Sequence, residues 1–202
     1  RTPEFETIFA EVQEGLQWLF QTEQEVLLLA ASGTGAMEAA VSNLCSAGDT
    51  VIVVNGGKFG ERWLKISQAF GLTPIELKVE WGQAVQVAAV AEALKTHPEA
   101  KAVLVQASET STTALHPVQE IATLTRNTNT LVVVDGITSV GATATPMDHW
   151  GLDVVITGSQ KALMLPPGLG FIALSDKAWK QADSATLPRY YFDLKRERKE
   201  QQ

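Results

Sequence analysis

Seven short apolar runs punctuate the chain: Val26–Ala30, Thr50–Val54, Thr73–Leu77, Ala102–Gln106, Leu131–Val134, Val154–Thr157 and Phe171–Leu174. Each has the length of a strand. Most are apolar at consecutive rather than alternate positions, the pattern of strands buried on both faces. Helical spacing fills most of the intervals, at about 34–46, 60–70, 86–95 and 117–126. Ahead of the first run, Thr2-Pro3 can cap and open a helix. Its apolar positions, Phe5, Ile8, Phe9, Val12, Leu16, Leu19 and Phe20, recur at helical spacing. Strands alternating with helices predict an α/β fold, a three-layer α/β/α domain on a mainly parallel seven-stranded sheet. No repeat and no low-complexity linker divides the 202 residues, so one domain spanning 1–202 is expected.

Composition narrows the function classes. Hydrophobic residues make up 45% of the chain, enough for a sizeable core. The net charge of −7, with no basic stretch before the C-terminal tail, argues against nucleic acid or an anionic membrane as partner. Cys45 is the only cysteine and reads as a core residue. That excludes an internal disulfide or a thiolate cluster and fits a cytoplasmic setting. His97, His116 and His149 lack the spacing of zinc ligands, so no metal is expected. The abrupt start at Arg1-Thr2-Pro3 and the charged tail from Lys195 suggest a piece of a longer protein.

The chemistry gathers at the ends of the apolar runs, where open α/β sheets place their sites. Lys161 follows the run at Val154, in Gly158-Ser-Gln-Lys161. A lysine buried there would be held partly neutral, as an amine able to attack a carbonyl. Asp135 ends the run Leu131-Val-Val-Val-Asp135 and needs a cationic or hydrogen-bonding partner. The pyridinium nitrogen of pyridoxal phosphate is one such partner, and that cofactor's aldehyde is a carbonyl suited to Lys161. Ala31-Ser-Gly-Thr-Gly-Ala36 opens the first helix after a strand, so Ser32, Gly33 and Thr34 form either a phosphate cradle or an ordinary tight turn. It is not a dinucleotide fingerprint, because Glu38 stands where a third glycine is required. Gly56-Gly-Lys58 is not a P-loop, because Phe59 follows it. Ile137 breaks any nucleophile elbow at Ser139. Phe59 sits in a Gly-rich loop, as a stacking ring or a core residue. Hydroxyls cluster in Gln106-Ala-Ser-Glu-Thr-Ser-Thr-Thr113.

Taken in chain order, the Ser32 turn, Phe59, the hydroxyl loop, Asp135 and Ser159-Gln-Lys161 resemble the large domain of class V, fold-type I aminotransferases, and within them the alanine/serine–glyoxylate branch. The resemblance rests on Ser32-Gly-Thr-Gly-Ala-Met-Glu-Ala-Ala40, Val134-Asp-Gly-Ile-Thr-Ser-Val-Gly141 and Gly158-Ser-Gln-Lys-Ala-Leu-Met-Leu-Pro-Pro-Gly168. It implies pyridoxal phosphate bonded to Lys161, which later moves the α-proton. Asp135 would pair with the ring nitrogen, and Ser32, Gly33, Thr34 and Gln160 would hold the phosphate. Phe59 and Ile137 would lie on the two ring faces, and Thr110 or Ser111 would bond the ring hydroxyl region. The substrates implied are a small amino acid, serine or alanine, and glyoxylate or another 2-oxo acid, turned over by a homodimer. The resemblance also implies a further C-terminal domain and an opening segment outside this chain. Two rival readings remain. One is another class V reaction, a lyase or desulfurase, which Gln160 and Phe59 count against. The other is a non-catalytic subunit, since cyanobacterial look-alikes carry the label of a soluble hydrogenase small subunit. A single cysteine speaks against nickel and iron–sulfur chemistry.

Overall fold

A computed structural model describes residues 2–202. The elements run α1 (Pro3–Phe20), β1 (Val26–Ala30), α2 (Gly33–Leu44), β2 (Thr50–Asn55), α3 (Lys58–Ala69), β3 (Thr73–Lys78), α4 (Val87–Thr96), β4 (Ala102–Gln106), β5 (Ser108–Glu109), β6 (Ala114–Leu115), α5 (Val118–Thr125), β7 (Leu131–Asp135), α6 (Met147–Trp150), β8 (Val154–Gly158), β9 (Leu169–Leu174), α7 (Asp176–Ala182) and α8 (Leu194–Gln201). Seven strands form one sheet in the order β1-β9-β8-β7-β4-β2-β3, and β5 pairs with β6 in a small hairpin. Only β9 runs against its neighbours, so the sheet is mainly parallel as expected.

Residue alternation splits the core into two layers. Leu104, Val133 and Ile156 point to the face covered by α2, α3 and α7. Val103, Val105, Val132 and Val134 point to the face covered by α1, α4, α5 and α6. The chain steps outward from β2 to β3 and then returns to β4 on the inner side of β2. In open α/β sheets such a reversal, here between β2 and β4, marks where a binding crevice is expected.

Local chemistry sets the boundaries. The Thr2 hydroxyl accepts from Phe5 N–H at 3.3 Å and caps α1, with Pro3 as its first residue. Leu16 and Phe20 are buried, whereas Phe5, Ile8 and Val12 on the same helical stripe are exposed. The expectation of strands buried on both faces fails for β3, an edge strand whose positions are exposed or half-buried. Several strands run one residue past their apolar runs, so Asp135 and Gly158 are strand residues. The hydrogen-bond ladder, not apolarity, ends them.

Candidate functional site

The C-terminal ends of β1, β2, β4, β7 and β8 meet at one rim of the sheet. The expected site residues lie on the loops and helix starts that leave this rim. Asp135 is buried at the end of β7, and its Oδ1 accepts from Ile137 N–H at 3.0 Å. Among the described residues this is the only hydrogen bond its side chain makes. Burial pushes its pKa up to about 6. The Ile137 N–H bond opposes the rise, the Glu109 charge adds to it, and the charges of Arg62 and Lys161 pull it down. Both cations are therefore within electrostatic reach of the carboxylate.

The first turn is built around Ile137. A Cβ on Gly33 would overlap the Ile137 side chain, so only glycine lets that side chain lie against the turn. Ser32 is the N-cap of α2, but its hydroxyl makes no capping bond. The first N–H groups of α2 thus keep their capacity for an anion. Thr34 Oγ1 accepts from Arg62 Nη1 at 2.9 Å. The same guanidinium lies over the Phe59 ring, 4.7 Å from its centroid. Phe59 is half-buried and is the second residue of α3, not a loop residue as its glycine neighbours suggested.

The start of α3 is held from outside. Its N-cap is Gly57, with no side chain to cap it. The buried Glu109 carboxylate accepts instead from Phe59 N–H at 3.1 Å and Gly60 N–H at 3.0 Å. It also accepts from Ser111 N–H at 3.1 Å and Ser111 Oγ at 2.6 Å. A negative charge at a helix N-terminus is favourable twice over, through hydrogen bonds and through the dipole. A Cβ on Gly57 would come within 2.6 Å of the Glu109 side chain, so the close approach requires glycine there too. Ser111 further accepts from Lys58 N–H at 2.9 Å, which uses its hydroxyl inside the loop. Thr110 Oγ1 lies 3.1 Å from Thr138 Oγ1. Thr138 gives its proton to Ser108 O, so Thr110 is the donor of that pair and keeps acceptor capacity.

Lys161 departs from expectation. It is exposed, not buried. β8 ends at Gly158, and Ser159 cinches the following loop through Pro166 O at 2.7 Å and Leu169 O at 3.0 Å, which carries Lys161 off the sheet. Gln160 beside it is half-buried, with an enclosed Oε1 that has no partner. Sequence reasoning missed Arg62, Glu109 and Gln106 as members of this site. Arg62 had one available signal, its position three residues after Phe59 on a helix. Gln106 is fully buried, and neither of its amide atoms has a hydrogen-bond partner.

With this geometry in view, the profile of the aminotransferase class-V family matches residues 1–189. The chain belongs to the aminotransferase class-V family. It is 46% identical over 203 residues to a Synechococcus sp. protein named soluble hydrogenase, small subunit, covering 99% of this chain and 53% of that one. It is 35% identical over 210 residues to serine–glyoxylate aminotransferase of Methylorubrum extorquens, covering 99% of this chain and 52% of the relative. Alanine–glyoxylate aminotransferase of Nostoc sp. superposes with a TM-score of 0.94 at 29% identity, over 100% of this chain and 54% of that one. The chain thus spans about half the length of the curated relatives it matches. Family and fold imply pyridoxal phosphate as cofactor. The residues present fit that group. A buried carboxylate has an acceptor oxygen to spare, a long helix offers uncapped N–H groups, and an aromatic ring and a primary amine stand nearby.

Proposed function

We propose that this chain is the cofactor-binding large domain, residues 1–202, of an aminotransferase moving the amino group of serine or alanine to glyoxylate or another 2-oxo acid. The observation that carries the reading is Asp135. A fully buried carboxylate with one hydrogen bond, near two cations and beside an uncapped helix start, has no structural task that repays its burial. When bound, pyridoxal phosphate supplies an electron sink and a carbonyl for amines.

The chain's own residues divide the work. Asp135 would accept from a protonated ring nitrogen, which would keep the ring electron-withdrawing. Ser32, Gly33, Thr34 and Gln160 bind the phosphate with hydroxyl, amide and backbone N–H groups. Phe59 and Ile137 would pack against the ring and keep water from it. Thr110, whose proton goes to Thr138, would accept from the ring hydroxyl region. Lys161 would provide the amine that holds the cofactor and the base that moves the proton at the substrate α-carbon. The exposure of Lys161 and the apolar stripe of α1 fit a homodimer in which a second subunit and a further domain close the site. We place the enzyme in the cytoplasm. Among the described residues no helix is long and apolar enough to cross a membrane.

The hydrogenase name of the Synechococcus relative finds no support in these 202 residues. Cys45 is their only cysteine, and burial pushes its pKa up to about 12, so it offers no thiolate for a metal cluster. The test is borohydride reduction of the full-length protein with pyridoxal phosphate, followed by peptide mapping. Phosphopyridoxyl on Lys161 is expected. Label on another lysine, or none, overturns the proposal.

A further inference from the structure

Gln106 ends β4 in the register position paired with Asp135 on β7. Two residues earlier on each strand, Leu104 and Val133 both enter the core layer under α2 and α3. Side chains alternate along strands, so Gln106 and Asp135 leave the sheet on that same face. Neighbouring strands lie about 4.8 Å apart, which puts the two side chains next to each other. Gln106 is fully buried, yet its amide nitrogen and oxygen both lack a partner. Asp135 beside it is buried with a single hydrogen bond, from Ile137 N–H. A donor without an acceptor thus adjoins an acceptor without a donor.

We propose that Gln106 is a positioning residue for Asp135: the bond is not made in this structure, and in the cofactor-loaded site a small rotation of the amide or one bridging water lets its N–H donate to the carboxylate oxygen that Ile137 does not use. The inference rests on the cofactor reading of Asp135 given above. A carboxylate held by Ile137 alone can rotate about its Cβ–Cγ bond. A second donor on the other oxygen fixes its plane and favours the charged form, the form able to accept from a ring nitrogen. An apolar residue would fill the Gln106 site without leaving buried polar atoms unpaired, so the amide needs a reason to be there.

The test compares wild type, Gln106→Met and Gln106→Asn in the full-length protein. Methionine keeps the length and removes both polar atoms; asparagine keeps the amide but pulls it back by one methylene. The readouts are the pyridoxal phosphate dissociation constant, the pH midpoint of the lysine-linked cofactor's absorbance band, and the thermal midpoint of the cofactor-free protein. Gln106→Met is expected to weaken cofactor binding by about tenfold and to move the pH midpoint, with the thermal midpoint equal or higher. Gln106→Asn is expected to fall between the two. Unchanged affinity and absorbance in Gln106→Met overturn the proposal, whatever happens to the thermal midpoint. Should Gln106→Met not fold, a crystal structure of wild-type holoenzyme decides. An amide nitrogen bonded to Asp135, directly or through one water, supports the role, and any other arrangement refutes it. Wild type that takes up no lysine-linked cofactor refutes the functional reading itself and this inference with it.

Discussion

Replacing Asp135 by asparagine is expected to stabilise the cofactor-free protein while removing its affinity for the cofactor. Burial raises the Asp135 pKa from 3.8 to about 6 in the folded state. The folded protein then holds this proton more tightly than the unfolded chain. Between about pH 4 and 6 the unfolded state binds fewer protons, so stability falls as pH rises through that window. Above it the penalty is complete. A difference of about two pKa units corresponds to about 3 kcal/mol. Asparagine keeps the bond from Ile137 N–H but leaves its own amide N–H groups buried, which returns about 1 kcal/mol of that gain. The net expectation is about 2 kcal/mol of added stability at pH 7 to 8, fading to nothing or a slight loss near pH 4. Urea unfolding of both cofactor-free proteins across that pH range measures it. A difference that does not vary with pH, or a variant less stable at pH 8, would refute the argument that a buried, under-bonded charge sits at this position. Cofactor affinity, read by absorbance titration, is expected to collapse in the same variant.

Two other substitutions probe how the site is held. Glu109→Ala removes the acceptor for three backbone N–H groups and the Ser111 hydroxyl, and should cost about 3 kcal/mol or more in urea unfolding, with Glu109→Gln recovering part of it. A loss below about 1 kcal/mol would mean that water replaces the carboxylate at the start of α3. Thr113 holds a φ of +61° in the hydroxyl loop, where a β-branched side chain is strained, so Thr113→Gly should raise stability by about 1 kcal/mol. A fall in the thermal midpoint would show that the Thr113 hydroxyl bond to Thr112 O outweighs that strain.

The sheet was legible because its strands are apolar at successive positions, and burial on both faces leaves few other readings of such runs. β3 was legible as a strand, but its place at the edge was not, since a run such as Thr73-Pro-Ile-Glu-Leu77 does not reveal which neighbour it lacks. The chemistry at strand ends was legible for the same reason: a polar residue closing an apolar run stands out, as Asp135 does. What escaped was the connection between segments. Arg62 joins Thr34 across 28 residues, and Glu109 joins Phe59 across 50. Nothing in the local pattern of either marks its partner. Burial of Lys161 was misjudged because strand-end position fixes where a residue leaves the sheet, not how far the next loop carries it. The loop closed by Ser159 does that here.

The two ends of the sheet argue for where function lies. At the N-terminal end, Lys177 donates to Thr125 O, Thr130 O and Asp153 Oδ2 at 3.0, 2.6 and 3.1 Å. Asp153 also accepts from Val132 N–H and the Ser175 hydroxyl. Every ammonium donor and both carboxylate oxygens there are used, and the cluster ties β7, β8 and α7 together. At the C-terminal end the same kinds of group are left open. Asp135 has one bond, Gln106 has none, the enclosed Gln160 oxygen has none, and the Ser32 hydroxyl does not cap its helix. Folding alone would favour pairing these groups or replacing them by apolar residues, as it has paired those at the opposite end. That contrast within one sheet supports placing the proposed binding site at the C-terminal rim. The unpaired donors and acceptors match a ligand with a cationic ring nitrogen at one side and an anion at the other.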